Sequence, residues 1–273
     1  IELKTKLKFY QKVLFYIYKK NKLDALSRKL FKSPIENYDI SKADVLLLNG
    51  EKGKELINNN HQSINLCHFD YQNYLNEKKK TKKNINGNYA LFLDQYLPNH
   101  SGQNYIGNLS KNLDQAKYYQ NLEFFFNKFE KMYGLEIIVA AHPRSNYEKN
   151  KFLSNKRKFF INKTPELIKY SKIVFTHTSN SLNYGILFNK PIFFLTFSLY
   201  KHQDVFRPEF LSDYFKTFCF KIDKTFFPFP EKKILFKVNN QAYNNYKKNY
   251  LVTKNYKNHL FWDEFSKKII KLK

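Results

Sequence analysis

Four short apolar runs constrain the fold more than any other feature of the chain. Tyr89–Leu93, residues 135–141, Ile173–Thr176 and Ile192–Thr196 each have the length and character of a buried strand. Between them lie segments with helical periodicity. Residues 116–133 carry Leu122, Phe125, Phe126, Phe129 and Met132 on one stripe and stop at Gly134. Thr164-Pro165-Glu166 opens a second helix, with Thr164 as N-cap, Pro165 at the first helical position and Glu166 matching the helix dipole. Residues 181–188 read as a third, short helix. Strand–helix alternation of this kind predicts an α/β fold, a parallel sheet with right-handed crossovers and flanking helices.

The flanks are less regular. Residues 3–31 read as a helix, with Leu7, Tyr10, Val13, Leu14 and Ile17 on one face and Lys4, Lys8 and Lys12 among the cations elsewhere. Residues 43–48 read as a buried strand closed by Asn49-Gly50, and residues 63–67 as a weaker one before His68-Phe69-Asp70-Tyr71. Residues 1–76 are therefore expected to be part of a first α/β domain. Residues 77–88 (EKKKTKKNINGN) are a charged, polar linker, and residues 89–273 a second α/β domain whose last stretch is mainly helical. The chain opens at Ile1 and holds a single Met, so a further upstream stretch is expected.

Lys and Arg outnumber Asp and Glu by 48 to 23, a formal net charge of +25. Such a field favours anionic partners, although the abundance of Lys with Asn, Tyr, Phe and Ile also fits an AT-rich coding bias. A basic helix over residues 3–31 would suit an anionic membrane surface as a peripheral contact, or pack within its domain. Two cysteines, Cys67 and Cys219, make neither a disulfide framework nor a zinc site and fit a reducing, cytoplasmic setting. No run reaches the roughly 20 apolar residues of a membrane span.

In an open parallel sheet, ligands bind outside the carboxyl ends of the strands. Three polar segments directly follow strands here. Ala141-His142-Pro143-Arg144-Ser145 offers a proton donor or acceptor in His142, a stiff turn at Pro143 and a planar fork for phosphate or carboxylate in Arg144. Read blandly, it is a strand end and a surface cation. His177-Thr178-Ser179-Asn180-Ser181 opens a helix, where small polar side chains and free N–H groups suit an anion. Plain capping needs only one of them. Asp94, at the end of the first run, is placed to act as a general base, or simply to form a turn. No Gly-rich dinucleotide fingerprint, P-loop, Asp-x-Asp pair or Gly-x-Ser-x-Gly elbow is present. No metal or cofactor site is expected.

The His142-Pro143 pair, followed one strand–helix unit later by the Ser/Thr-rich 178–181 segment, resembles the nucleotide-binding half of bacterial sialyltransferases and related transferases of Kdo and other nonulosonic acids. Such enzymes have the GT-B fold of two Rossmann-like domains. The resemblance covers roughly residues 89–196. It implies that His142 contacts the donor phosphate and helps CMP depart, and that Pro143, Arg144, Thr178, Ser179, Asn180 and Ser181 form the phosphate site. The family's base sits in an acidic motif ending in Gly; here Asp94 is followed by Gln95 and no adjacent Gly, so Asp94, Asp70 or an upstream residue would serve. The absence of Asp or Glu from Ser171 to Leu199 departs from the paired glutamates of retaining GT-B enzymes.

The resulting expectation is an inverting, metal-independent glycosyltransferase. It would move an acidic sugar from a CMP donor to a surface glycan acceptor, with one phosphate neutralised by protein donors. A UDP- or GDP-sugar transferase or epimerase on the same scaffold is the alternative. A non-catalytic polyanion binder is a third reading, and no RNA-binding motif favours nucleic acid.

Overall fold

The computed structural model describes residues 45–53, 62–81, 85, 88–99, 114–147, 157–198, 202–253 and 261–270. The chain divides into two compact units, residues 1–46 with 58–62 and residues 47–57 with 63–273. Nearly all of the smaller unit lies outside the described residues, and so does the helix expected over 3–31 with Lys4, Lys8 and Lys12.

Strand β1 (Val45–Asn49) leads through a tight turn into α1 (Gly50–Gly53), and β2 (Gln62–Leu66) pairs with β1 in a two-stranded sheet. Gly50 is required at that turn. Its φ is +61°, and a Cβ there would lie 2.3 Å from the Asn249 carbonyl oxygen. Helix α2 (Phe69–Lys79) starts on His68, whose Nδ1 accepts the Asp70 N–H at 3.2 Å. It runs three residues into the stretch expected as a linker. Glu77 is buried there and binds Lys80 Nζ at 2.8 Å, and Ile85 joins the core, so apolar burial and an ion pair hold a segment whose composition reads as loop.

The main sheet begins at β3 (Tyr89–Leu93), buried along its whole length. Helix α3 (Gln115–Tyr133) follows, capped by Asp114, which accepts the Lys117 N–H at 3.1 Å, and ended by Gly134 at φ +68°. Then come β4 (Glu136–Ala141), β5 (Phe159–Ile161), α4 (Thr164–Tyr170), β6 (Ile173–Thr176), α5 (Leu182–Leu187) and β7 (Ile192–Thr196). Thr164 is not the cap of α4. Lys163 holds that position without a side-chain bond, and Thr164 is already helical beside Pro165, whose missing N–H costs nothing in a first turn. Helix α6 (His202–Phe215), β8 (Cys219–Lys221), α7 (Lys232–Leu235), α8 (Asn240–Tyr246), a π turn over Lys247–Leu251 and α9 (Phe261–Ile270) complete the described chain. Among its described residues the last stretch is thus helical in several segments, as expected, but with turns and coil over residues 222–231 and with β8, three residues that carry no sequence pattern of their own.

All six strands of the main sheet are parallel, in the order β5-β4-β3-β6-β7-β8. The chain enters at the middle, winds outward to β5, returns to β6 beside β3 and winds the other way. This is the doubly wound Rossmann order, with its switch point between β3 and β6. Residues of α3 pack with the 220–235 segment on one face of the sheet through Phe125, Phe126 and Phe129. The other face is covered from α4, α5, α6 and α8, with Leu167, Ile186, Phe215 and Tyr243. Rings meet edge to face, as Phe129 does Phe175 at 4.8 Å between centroids. A largely buried ion cluster ties α3 to the start of β4: Arg157 donates to Glu123 at 2.8 Å, Glu130 at 2.6 Å and Asn127 at 3.0 Å, and Glu130 also accepts the Ile137 N–H at 2.7 Å. The α/β class with a Rossmann-like parallel sheet flanked by helices is therefore present. A second Rossmann-like domain of a GT-B pair would fall on residues 1–76, many of which lie outside the described set.

Candidate functional site

Register places the three polar segments at one edge. Leu93 pairs with both Ala140 and Thr176, so β3, β4 and β6 end level with one another. Asp94 follows β3, His142, Pro143 and Arg144 follow β4, and Thr178–Ser181 follow β6. All expected site residues therefore lie along the carboxyl edge on either side of the switch point.

The β4 loop is a tight turn. His142 is half-buried, and its Nδ1 accepts the Arg144 N–H at 3.2 Å. Its carbonyl accepts the Ser145 N–H at 2.8 Å and the Ser145 hydroxyl at 2.7 Å. Pro143 and Arg144 are exposed, so the guanidinium is presented to solvent at the sheet edge.

The β6 loop caps itself. Thr176 Oγ1 accepts the Ser179 N–H at 3.1 Å, Ser179 Oγ accepts the Ser181 N–H at 3.3 Å, and the Ser179 carbonyl accepts the Leu182 N–H at 3.0 Å. The Thr178 N–H goes to Gln95 Oε1 at 2.7 Å. The expectation of several free N–H donors is corrected here: the small polar residues bond one another first. Of this loop's backbone donors, the exposed Asn180 N–H remains, together with the side chains of Thr178, Asn180 and Ser181. His177 is a core residue. Fully buried, it donates from Nδ1 to the Leu195 carbonyl at 2.7 Å, which leaves Nε2 to accept the Tyr118 hydroxyl at 2.9 Å. Phe92 and Phe197 present their rings to it. Burial pulls its pKa down to about 4, so it is neutral at physiological pH.

Asp94 is only 4% exposed. Its Oδ1 accepts the Tyr96 N–H at 2.9 Å, and its Oδ2 accepts the Tyr147 hydroxyl. Burial raises its pKa to about 6, and these hydrogen bonds hold it from rising further. The Tyr147 phenol is pushed far up by burial and by the neighbouring carboxylate. So placed, Asp94 organises its turn; taking a proton from an outside hydroxyl would first require Tyr147 to leave. Asp70 is more open. Its Oδ2 accepts Asn183 Nδ2 at 2.8 Å and lies 3.4 Å from His68 Nδ1, which brings the 68–71 turn against the first turn of α5, two residues beyond Ser181.

Several residues of the edge carry no sequence signal. Gln95 and Tyr147 join it through partners 83 and 53 positions away. Only their position directly after a strand, or within its following loop, hints at the role. Among the described residues no group of three His, Cys, Asp or Glu side chains is placed to hold a metal ion, and no helix is long and apolar enough to cross a membrane.

No protein-family model matches the chain, and no curated protein matches it. Among solved structures it is similar to UDP-GlcNAc 2-epimerase of Methanocaldococcus jannaschii. One, in complex with UDP-GlcNAc and UDP, is 15% identical with a TM-score of 0.46, over 85% of this chain and 62% of that one. A second structure of that epimerase is 16% identical with a TM-score of 0.44, over 85% and 63%. The chain thus spans less than two thirds of the length of these proteins.

Proposed function

We propose that this chain is the nucleotide-sugar-binding part of a sugar-nucleotide enzyme, with the donor phosphate over the crevice between β3 and β6. The observation that carries the reading is the convergence of His142, Arg144 and Thr178–Ser181 on one strand-end edge, astride the switch point. His142 would meet the phosphate and stabilise or protonate the departing nucleotide. Arg144 would pair with the phosphate or with a sugar carboxylate. Because the 178–181 loop uses most of its own N–H groups, its grip falls to the Thr178 and Ser181 hydroxyls and to Asn180.

In its fuller form the reaction is inverting, metal-independent transfer of an acidic sugar from CMP to a glycan acceptor, in a cytoplasmic setting with residues 3–31 as the membrane contact. For the acceptor's base, Asp70 is better placed than Asp94, since both Asp94 oxygens are bonded within the protein. The second reading is a UDP- or GDP-sugar transferase or epimerase, in which the same edge would hold the phosphate and the question of the base would stand as it does here.

Thermal unfolding with CMP, UDP, GDP, UDP-GlcNAc and a CMP-linked nonulosonate separates these readings. A nucleotide at 100 times its Kd adds about 2.7 kcal/mol to stability. We expect one nucleotide class to raise the Tm and His142→Ala to shrink that rise. With the matching sugar donor, His142→Ala should cut turnover roughly 100-fold or more. A chain stabilised by no nucleotide, and bound only by polyanions with a steep salt dependence, is not this enzyme.

A further inference from the structure

The ends of three neighbouring strands are tied into one hydrogen-bonded row. At β4, the Ala140 carbonyl accepts the Asp94 N–H at 3.0 Å, and Tyr147 of the His142 loop donates to the Asp94 carboxylate. At β3, that carboxylate accepts the Tyr96 N–H, and Tyr96 is held at φ +53°, a conformation a bulky side chain seldom adopts unaided. The backbone on both sides of Gln95 is thereby fixed. At β6, the Gln95 amide completes the row: Oε1 accepts the Thr178 N–H at 2.7 Å and Nε2 donates to Thr178 Oγ1 at 3.4 Å. The span from Tyr147 to Thr178 thus crosses the switch point on the side chains of Asp94 and Gln95.

From this row we infer that Gln95 is a positioning residue, which sets the Thr178–Ser181 loop in its binding shape before an anion arrives. The inference rests on the nucleotide reading of that edge and adds a residue that reading did not contain. Its amide meets the loop at the first residue after His177, where one bonded N–H and one bonded hydroxyl orient Thr178. Ser179 and Ser181 then follow through the loop's own caps. Gln95 need not touch the ligand to do this. If the loop without its pin holds the bound shape one tenth of the time, apparent affinity falls tenfold.

The pin is tested by hydrogen exchange at the Thr178 and Ser179 amides, read with and without nucleotide, in the wild type and in Gln95→Ala. In the wild type both amides should be protected in the free protein, and saturating nucleotide should add little. Gln95→Ala should exchange them quickly when free and recover protection when the tightest of CMP, UDP or GDP is bound, with a Kd weaker by about tenfold. Gln95→Glu keeps an acceptor for the Thr178 N–H and should restore protection in the free protein. A loss of global stability would instead quicken exchange across the sheet and would not be reversed at these two amides alone. Unchanged exchange in Gln95→Ala overturns the inference, as does unchanged affinity with lost protection. If no nucleotide binds the wild type, the functional reading fails, while exchange in the free proteins still decides whether Gln95 pins the loop.

Discussion

Asp94→Asn should expose a titration that the wild-type protein conceals. Two buried groups beneath the strand-end edge are shifted in opposite senses. Asp94 moves from 3.8 to about 6, so between those values the folded state holds a proton that the unfolded state has released. Stability from this group therefore rises as pH falls through 6, by about 3 kcal/mol in full. His177 moves from 6.5 to about 4, so over that window the unfolded state holds the extra proton. Stability from this group falls as pH drops from 6.5 to 4, again by about 3 kcal/mol. Both side chains are almost wholly buried, so solvent screening removes little of either effect. In the wild type the two nearly cancel. Asp94→Asn keeps an oxygen for the Tyr96 N–H and a polar partner for Tyr147 but removes the carboxyl, leaving His177 unopposed. Urea unfolding between pH 4 and pH 7 gives the readout. The stability difference, wild type minus variant, should grow by about 2.4 kcal/mol on acidification across that range, most of the full effect. Parallel curves, or a difference that grows toward neutral pH, would refute the assignment of a raised pKa to Asp94.

Two further changes probe the frame that holds the edge. Gly50→Ala drives a Cβ to 2.3 Å from the Asn249 oxygen at a positive φ, whereas Gly134→Ala meets nothing within 4 Å. In chemical denaturation Gly134→Ala should therefore cost about 1–2 kcal/mol, the left-handed backbone penalty alone, and Gly50→Ala clearly more. Arg157→Met strands the buried carboxylate of Glu123 and leaves Glu130 with only the Ile137 N–H, and should cost about 3–5 kcal/mol by the same measurement. A loss below 1 kcal/mol would show that the cluster is hydrated and not closed.

Strand positions were legible where the strands are central. Tyr89–Leu93, Ile173–Thr176 and Ile192–Thr196 are flanked by partners on both sides and covered on both faces, so each must be apolar along its length, and that is visible in one dimension. Phe159–Ile161 and Cys219–Lys221 are edge strands of three residues, defined by the neighbour they pair with and not by their own pattern. The candidate site divides similarly. That Asp94, His142 and Thr178–Ser181 share an edge follows from each lying just past a strand of a parallel sheet. What each then does depends on partners far away in sequence. Asp94 reads as an open carboxylate until Tyr147 covers it, and the 178–181 loop has the same composition whether its side chains cap the loop or face a ligand. The segment 77–79 reads as linker because its charge is visible and the burial of Glu77 is not.

The two short outer strands have a consequence for how the molecule behaves in company. A sheet grows by adding strands at its margins, and a long, flat margin is a template on which a second chain can register. Among the described residues the margins belong to β5 and β8, three residues each, while the inner strands run to four, five and six. Lys158 and Lys163 bracket β5, and Lys221 closes β8. Stacking a copy along either margin would gain few ladder bonds and bring ammonium groups of both copies together. A chain with 28 Phe and 21 Tyr has much to lose from such templating. Against such templating the brevity of the outer strands would count as much as the overall surplus of positive charge.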